Sequence, residues 1–418
     1  MTDIFIKVQV NPMTIVEFFD REMLENIIGT LMFQPERVVL FGRDLKKLAA
    51  FQKNMVQVLA NKNIHTKILI ESVNTTEYAS VVKKLNGFID AYPDCVFDLT
   101  GGEELILVAM GAVAAKRNIP LHSINPRSGR VKTILHNSGE TRETKSASLT
   151  VDEAITLFGG MIEYGAPGSG KTVPLKLDGT MQRDVIALWH ILRKNCGDWN
   201  AAIEVLSPLT DVQNLDRDGL TFSVPQNYFK SGLKNSSYKI ACMESVLSQL
   251  TAKGILFEKR TGDMRRFTFK NKQMLRALSK SGTVLELYTL LCVLSAKSLS
   301  GSSLVGSAVS GAVIDWENPP DEFDDVKNEI DVLATTGAIP VFISCKNGGV
   351  DSGELYKLST VAERFGGKYA KKILVMTYYN ARESFIQRAQ AMNIKLIRNV
   401  HEMSREEFIK RLSDNIKN

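Results

Sequence analysis

The sequence predicts an α/β protein of two or three domains, from its length, its composition and its alternation of short apolar runs with longer amphipathic stretches. The chain has 418 residues, against ~100–200 for a typical domain. Hydrophobic residues make up 44% and charged residues 23% of it, close to the averages for globular proteins. The chain can therefore bury several cores, and a largely disordered or collagen-like protein is excluded.

The first predicted domain spans residues 1–148 and alternates strand-like runs with segments long enough for helices. The predicted strands are Ile4–Val10, Arg37–Phe41, Thr66–Ile70, Cys95–Leu99 and Leu121–Ile124. This βαβ order predicts a mostly parallel, Rossmann-like sheet covered by helices. Val131–Leu135 is expected to add a hairpin at one edge. Ligands of such sheets bind at the carboxyl ends of the strands.

The second predicted domain, residues 149–280, lacks this alternation. Helices are predicted at Val151–Leu157, Gln182–Leu192, Asp198–Leu206 and Tyr238–Ala252, followed by a β-hairpin about Gly262 and Asp263. Helices followed by a hairpin are typical of a winged-helix module. Residues 253–280 contain nine Lys or Arg against two acids. The sequence leaves open whether this basic cluster contacts phosphates or only keeps the hairpin solvated.

The third predicted domain, residues 281–418, has the element order α-β-β-β-α-β-α-β-α. A long helix runs from Gly282 to Ser295, and a loop rich in Gly and Ser precedes three strand-like runs. The remaining strands are predicted at Lys372–Met376 and Lys395–Arg398. This order predicts a mixed sheet with helices packed on it.

Several protein classes are excluded by what the sequence lacks. Its longest apolar stretches, Leu105–Ala115 and Leu285–Ala296, are shorter than the ~20 residues that cross a bilayer. No secretory signal is visible, so we expect a cytoplasmic protein with no membrane partner. The five cysteines are far apart and form no Cys-x-x-Cys pair, which argues against a disulfide framework or a zinc site.

The segment Asp98–Glu103 closes a predicted strand and opens a helix through two glycines. Such a turn presents free N–H groups and the positive end of a helix dipole, which suits phosphate or another anion. An ordinary βα turn with Thr100 as the N-cap is the alternative, and the local pattern does not exclude it. The glycines are too few for a dinucleotide fingerprint, so a nicotinamide enzyme is disfavoured.

The segment Gly165–Thr172 matches the phosphate-loop pattern G-x-x-x-x-G-K-[ST] in full. That pattern binds nucleotides only when a strand feeds the loop and a long helix follows it. Here Pro174 and the turn at Asp178 and Gly179 follow, and they oppose such a helix. A glycine loop is therefore favoured over an ATPase site built on Lys171.

A third candidate site combines Glu286, Asp331 and Lys346. Glu329 and Asp331 are two residues apart on a predicted strand and share one face, as do Ser344 and Lys346 on the next strand. A hairpin turning near Thr336 would place the acids beside Lys346 at the edge of the sheet. Carboxylates there could hold a divalent cation, with the ammonium beside a phosphoryl oxygen. A plain salt bridge between Asp331 and Lys346 is the alternative.

Together these segments resemble a known family. The set Glu286, Glu329-x-Asp331 and Ser344-x-Lys346 is similar to the metal site of PD-(D/E)XK, or restriction-endonuclease-like, nucleases. The turn Asp98–Glu103 on an α/β domain resembles the CRISPR-associated Rossmann-fold (CARF) sensor. Over essentially the whole chain, the order resembles the CARF nucleases of type III CRISPR systems. The resemblance implies a homodimer that binds a cyclic oligoadenylate, cyclic tetra-adenylate favoured, and cuts DNA or RNA with a divalent metal.

The resemblance also implies roles for individual residues. Asp331, Lys346 and Glu286 match the catalytic positions, and Ser344 stands where many members have a glutamate. The metal would be held by Asp331, Glu286 and the Cys345 carbonyl, with Glu329 acting through a water and Mn²⁺ preferred over Mg²⁺. The ligand pocket would include the loop expected after the first strand and the turns after the next three: Asn11, Pro12, Met13, Gly42, Arg43, Thr75, Thr100, Gly101, Gly102 and Glu103.

The main hypothesis is therefore a nuclease of antiviral defence that a cyclic oligoadenylate activates through the middle region. A ligand-responsive DNA-binding regulator with an inactive nuclease-like domain is the alternative from another class. An ATPase that uses Lys171 is a third. A cleavage assay with a divalent metal separates the first two hypotheses, because a regulator binds DNA without cutting it.

Overall fold

The computed structural model describes residues 13–19, 22–135, 138–143, 147–226, 228, 237–298, 301–318, 327–378 and 382–417. The strands of these residues form sheets of seven, three and six strands. The predicted α/β class, with a parallel-sheet domain, a winged-helix-like region and a mixed α/β domain, is confirmed. Within the described ranges, no helix is both long enough and apolar enough to cross a membrane.

The seven-stranded sheet has the order β3-β2-β1-β4-β5-β6-β7. The first five strands are parallel, and β6 and β7 form the antiparallel hairpin that was expected at this edge. Its elements are β1 (Thr14–Phe18), α1 (Met23–Phe33), β2 (Arg37–Gly42), α2 (Leu45–Asn61), β3 (Lys67–Ser72), α3 (Tyr78–Ala91), β4 (Cys95–Asp98), α4 (Glu104–Arg117), β5 (Leu121–Ile124), β6 (Arg130–Leu135) and β7 (Ser138–Glu143).

The central strand β1 is one that the sequence pattern missed. All five of its residues are buried, so it lacks the polar and apolar alternation that marks a half-exposed strand. The predicted strand Ile4–Val10 lies outside the described residues, as do Asn11 and Pro12. Met13 directly precedes β1, and its carbonyl accepts a hydrogen bond from the Glu36 N–H at 3.1 Å. Met13 therefore lies at the amino end of β1, and the strand after which the prediction placed it, Ile4–Val10, is not among the described residues.

The middle segment divides between two sheets. Helices α6 (Gly179–Lys194), α7 (Trp199–Leu206) and α8 (Ser237–Ala252) pack with β9 (Thr221–Pro225), β10 (Leu256–Thr261) and β11 (Met264–Phe269) in a winged-helix arrangement, and α9 (Lys272–Ala277) follows. The predicted hairpin is β10 with β11, and β9 pairs with β11. In contrast, α5 (Val151–Leu157) and β8 (Met161–Ile162) join the C-terminal domain, because β8 pairs with β12 (Ser307–Asp315).

The six-stranded sheet has the order β16-β15-β14-β13-β12-β8. Strands β12 to β14 are antiparallel neighbours, whereas β14, β15 and β16 run parallel. The other elements are α10 (Thr283–Leu294), β13 (Lys327–Thr336), β14 (Ile339–Lys346), α11 (Ser352–Gly366), β15 (Lys371–Met376), α12 (Glu383–Ala391), β16 (Ile394–Ile397) and α13 (Arg405–Lys417). The element order agrees with the prediction, but β13 and β14 are the two middle strands and not an edge pair.

One apolar core connects the first sheet to the C-terminal domain. It contains Phe51 and Met55 of α2, Ile155 of α5, and Phe342 and Phe365 of the C-terminal domain, all at most 1% exposed. Helix α5 contacts both α2 and α11. The first domain therefore packs directly on the domain that carries Asp331 and Lys346.

The phosphate-loop pattern Gly165–Thr172 does not form a phosphate loop. No helix begins directly after Thr172, and the next helix starts only at Gly179. The Thr172 hydroxyl is buried and accepts a hydrogen bond from the Val313 N–H at 2.7 Å. Thr172 therefore stabilises the position of β12. The Lys171 ammonium lies 3.4 Å from the Glu163 carboxylate. The ATPase hypothesis therefore lacks the strand–loop–helix geometry that it requires.

Thr172→Val should destabilise the protein, whereas Lys171→Ala should not. The valine removes the acceptor of a buried N–H, which costs ~1–3 kcal/mol of unfolding free energy. Lys171 loses only a half-exposed ion pair, worth ~0–1 kcal/mol. Urea titrations of the two variants and the parent measure the difference. Phosphate release from ATP that disappears in Lys171→Ala would restore the ATPase hypothesis.

Candidate functional site

The first candidate site lies at the carboxyl edge of the seven-stranded sheet. Gly42 ends β2 and Arg43 follows it, Thr75 follows β3, and the segment 99–103 follows β4. Since these strands are parallel, the structure brings the three turns to one edge. Met13 is at the opposite edge, and Asn11 and Pro12 lie outside the described residues.

Asp98 and Thr100 fasten the glycine turn to the neighbouring strand. One Asp98 oxygen accepts hydrogen bonds from the Thr100 N–H at 2.7 Å and from the Thr100 hydroxyl. The Thr100 hydroxyl in turn accepts from the Ile124 N–H at 2.9 Å, and the other Asp98 oxygen lies 3.1 Å from His122 Nε2. Thr100 is thus a brace between β4 and β5 and not an N-cap, a position that Glu103 occupies.

The two glycines of this turn meet different constraints. Gly102 has φ of +144°, a backbone conformation that residues with a Cβ rarely adopt. A Cβ on Gly101 would lie 2.5 Å from Glu25 Oε2, a carboxylate oxygen on α1. The backbone favours glycine at Gly102, and any side chain at Gly101 would displace Glu25, which is in close contact with the turn.

Several polar groups lie at the same edge of the sheet as the turn. Arg43 and Glu103 form an ion pair between their two loops, and both side chains are partly exposed. The N–H groups of the first turn of α4 point to the same edge, as at the start of any helix. The Thr75 hydroxyl is buried and makes no hydrogen bond within the described residues. These groups could bind a ligand that carries both phosphates and hydrogen-bonding donors.

One cavity lies away from the glycine turn. It has a volume of about 690 Å³ and lies between β3 and α3, where Glu71, Asn74, Lys84 and Tyr92 line it. Of the predicted pocket residues that the structure describes, only Arg43 lines it.

The second candidate site lies where β13 and β14 part. Their pairing runs from Thr336 and Ile339 to Val332 and Ile343 and stops there. Beyond it, Asp331 Oδ2 accepts hydrogen bonds from the Cys345 N–H at 2.6 Å and from the Ser344 hydroxyl at 3.1 Å. Because the N–H and C=O of a strand residue face the same neighbour, the Cys345 carbonyl also faces Asp331.

Lys346 forms its ion pair with a residue that the sequence analysis missed. Its ammonium lies 2.8 Å from the Glu354 carboxylate on α11, and both side chains are about 30% exposed. The alternative salt bridge between Asp331 and Lys346 is therefore not formed. Glu354 lines the same depression as Asp331, Ser344 and Lys346. Its acidic position in the first turn of a predicted helix was visible, but no local pattern connects it to Lys346.

Burial is the main cause of the raised pKa of two acids at this site, Glu286 and Asp331. Burial, with the charges of Asp331 and Glu329, raises the pKa of Glu286 on α10 to about 8. Burial also raises the pKa of Asp331, although its hydrogen bond from Cys345 and the charge of Lys346 oppose the shift. Burial by itself would lower the pKa of Lys346, but Glu354 and Asp331 outweigh it and raise the pKa. The structure thus brings together Glu286, Asp331, Ser344 and Lys346.

The donor groups fit a weak site for a hard cation. Within the parts of the chain that the structure describes, no three or more His, Cys, Asp or Glu side chains are grouped tightly enough to hold a metal ion. One carboxylate and one carbonyl nevertheless converge where the strands part, and a cation there would relieve the repulsion among the acids. Such a site would rely on water for much of its coordination.

Four of the nine basic residues in the segment 253–280 form ion pairs with carboxylates. Arg265 is buried and pairs with both Glu244 and Glu258. Three further members have carboxylate partners: Arg260 with Glu258, Arg266 with Asp216, and Lys270 with Asp184. Ion pairs of this kind leave less positive charge for phosphates than the sequence count suggested.

Comparison with solved structures shows a likeness that spans nearly the whole chain. Protein VC1899 from Vibrio cholerae superposes with a TM-score of 0.71 and 16% identity, covering 97% of this chain and 97% of that one. The likeness is one of fold. Can2 from Sulfobacillus thermosulfidooxidans, in complex with cyclic tetra-adenylate, superposes with a TM-score of 0.65 and 17% identity over 97% of both chains. No family model and no curated protein matches the sequence.

Glu286→Gln should stabilise the metal-free protein, increasingly so as the pH rises. The pKa of Glu286 is raised to about 8 in the folded state, so the unfolded chain releases its proton first. That effect is absent below about pH 4.5 and grows until about pH 8. Thermal melting in EDTA at pH 5 and pH 8 measures it, with the exposed Glu407→Gln as the control. An equal effect at both pH values would contradict the clustering of the acids.

Proposed function

We propose that this protein is a divalent-metal-dependent nuclease that a cyclic oligoadenylate activates and that cleaves DNA, RNA or both in type III CRISPR antiviral defence. The observation that carries the proposal is the convergence of Asp331, the Cys345 backbone and Lys346 where β13 and β14 part. The fold shared with Can2, which was solved with cyclic tetra-adenylate, supports the nature of the activator.

The residues of the second site suit phosphodiester hydrolysis. Asp331, Glu286 and the Cys345 carbonyl would hold the cation, with Glu329 acting through a water. A bound cation supplies a more acidic water and offsets charge on a phosphoryl oxygen. Lys346 would donate to a phosphate oxygen of the substrate. Because Ser344 adds no carboxylate, binding should be weak, and Mn²⁺ should be preferred over Mg²⁺.

A homodimer would complete the first site. Helix α4 exposes an apolar stripe of Leu105, Val108, Ala112 and Ala115, and Val108 is 62% exposed. Their spacing of three and four residues places them on one helix face directly after the glycine turn. A second copy packed on this stripe would bring two turns together about a two-fold axis. A symmetric ring such as cyclic tetra-adenylate matches that symmetry.

Cyclic tetra-adenylate should raise the melting temperature of the dimer, since it binds only the folded state. Val108→Glu places a charge in the stripe and should give a monomer that lacks this shift. Val56→Glu on α2, another exposed valine, is the matched control and should stay dimeric. Light scattering and thermal shift measure the two properties. A dimer that survives Val108→Glu with its thermal shift intact would contradict this interface.

Cleavage of labelled DNA and RNA should require Asp331 and Mn²⁺ or Mg²⁺. Asp331→Ala removes the central ligand and should abolish cutting, and Lys346→Ala should slow it ~10²–10³-fold. Ser344→Glu should preserve cutting and shift the preference towards Mg²⁺. Lys410→Ala, at an exposed lysine of α13, is the control. Parental cutting by Asp331→Ala would show that the metal site is misassigned.

A ligand-responsive DNA-binding regulator remains the second candidate, since the winged-helix order favours DNA binding. The ion pairs of Arg260, Arg265, Arg266 and Lys270 weigh against it. A ligand-dependent shift of DNA in a gel, without cleavage in any divalent metal, would support the regulator over the nuclease.

A further inference from the structure

Helix α11 begins beside the second candidate site and ends next to residues that contact the first domain. Its first turn carries Glu354, which pairs with Lys346 at 2.8 Å. Its last residue, Gly366, leads into Gly367, Lys368 and Tyr369, which contact α1 of the first domain. With 15 residues at ~1.5 Å each, the helix spans about 22 Å. It therefore joins the neighbourhood of the glycine turn to the proposed catalytic lysine.

Glu25 of α1 lies between the glycine turn and the end of α11. Its side chain is 3% exposed. Oε1 accepts a hydrogen bond from the Tyr369 hydroxyl and lies 2.9 Å from the Lys368 ammonium. Oε2 faces Gly101, where a Cβ would lie 2.5 Å away, and makes no hydrogen bond within the described residues. One buried carboxylate thus contacts the C-terminal domain with one oxygen and the turn with the other.

Glu22 strengthens the same contact. Its carboxylate accepts from the Lys368 N–H at 3.3 Å, and a Cβ on Gly367 would lie 2.6 Å from it. Gly367 has φ of +56°, so the chain leaves α11 through a conformation that favours glycine. A cavity of about 400 Å³ lies beside this contact, lined by Glu22, Glu363, Lys368 and Lys372 among others.

We propose that Glu25 and α11 transmit the state of the glycine turn to Lys346, with Glu354 as the positioning residue for that lysine. The inference rests on the proposed function, whose regulation it specifies. A ligand bound at Gly101 offers hydrogen-bond donors, the adenine amino groups and ribose hydroxyls, to the unpartnered Oε2. When the Glu25 carboxylate turns towards these donors, the contacts of its Oε1 with Lys368 and Tyr369 weaken. The end of α11 then shifts, and Glu354 moves Lys346 with it.

The packing of α11 explains why a small displacement would travel its length. Its inner face, including Leu355, Leu358 and Phe365, belongs to the core shared with the first domain. Packed cores change between discrete arrangements more readily than they deform continuously. Leu355, the neighbour of Glu354, and Phe365 lie towards opposite ends of this packed face, so the proposed shift would pass along it.

A second contact offers a competing route. Asn347, next to Lys346, exchanges hydrogen bonds of 2.8 and 2.7 Å with Asn200 of α7 in the winged-helix region. A signal that passes through the middle region, as the sequence analysis expected, would use this contact. Asn200→Ala therefore serves as the discriminating control.

The first experiment compares full-length Tyr369→Phe, Glu25→Gln and Asn200→Ala with the parent. We measure the affinity for cyclic tetra-adenylate and the ratio of the cleavage rates with and without it. Tyr369→Phe and Glu25→Gln should lower this ratio at least ~10-fold, within the usual range of allosteric coupling, and Asn200→Ala should leave it unchanged. Tyr369→Phe should bind the ligand within ~3-fold of the parent. Loss of activation in Asn200→Ala with parental activation in Tyr369→Phe overturns the proposal.

A second experiment needs neither ligand nor cleavage, so it separates the failure of this inference from that of the proposed function. The Cβ added in Gly101→Ala would lie 2.5 Å from Glu25 Oε2 and should displace that side chain. The Cβ added in Gly87→Ala on α3 has no atom within 4 Å. Hydrogen exchange should rise across residues 352–369 in Gly101→Ala and stay parental in Gly87→Ala. Tyr369→Phe should produce the same rise by releasing Glu25 directly. Unchanged exchange there in both Gly101→Ala and Tyr369→Phe overturns the mechanical connection, even if the protein is an activated nuclease.

Discussion

The core that α2, α5 and α11 share is the constraint on which the arrangement of this protein depends. Phe51, Ile155 and Phe365 come from three separate segments and are all nearly inaccessible to water. Burying each such side chain contributes ~1.5–3 kcal/mol. Separating the first sheet from the C-terminal domain would expose many of them at once. The two candidate sites are therefore held at a fixed distance, and communication between them must use small shifts within packed contacts.

The electrostatic interactions among the acids of the second site destabilise the folded state. Burial, together with the charges of Asp331 and Glu329, raises the pKa of Glu286 to about 8. Burying a carboxyl group near other acids costs folding free energy unless its charge is compensated. Asp331 is nonetheless held by the Cys345 N–H, which the parting of β13 and β14 leaves without a strand partner. The same local opening creates both the unpaired backbone groups and the place where a substrate could reach them.

The ion pairs of the basic residues determine which parts of the protein leave positive charge available to a polyanion. The hairpin β10–β11 is rich in arginine, but Arg265 is buried between two glutamates. Its paired arginines therefore contribute to the internal contacts of the winged-helix region more than to a positive electrostatic potential at its surface. Lys346 is partly exposed, and its single ion pair with Glu354 keeps its ammonium directed into the depression that Asp331 also lines.

The sequence by itself determined the class of the fold, most element positions and the pairing of Asp331 with the Ser344–Lys346 strand. Periodicity and turn residues encode these locally, because strands and helices follow from side chains only a few residues apart. It could not place β1, whose fully buried run has no alternation, and it could not find Glu25 or Glu354. Those residues meet their partners across 344 and 8 positions of chain, and only packing brings Glu25 to Tyr369. Likewise, Gly165–Thr172 matches a nucleotide-binding motif but does not form a phosphate loop in the tertiary structure. There the Thr172 hydroxyl accepts a hydrogen bond from the Val313 N–H. Contacts between distant segments are set by the three-dimensional packing of whole elements, which no local pattern specifies.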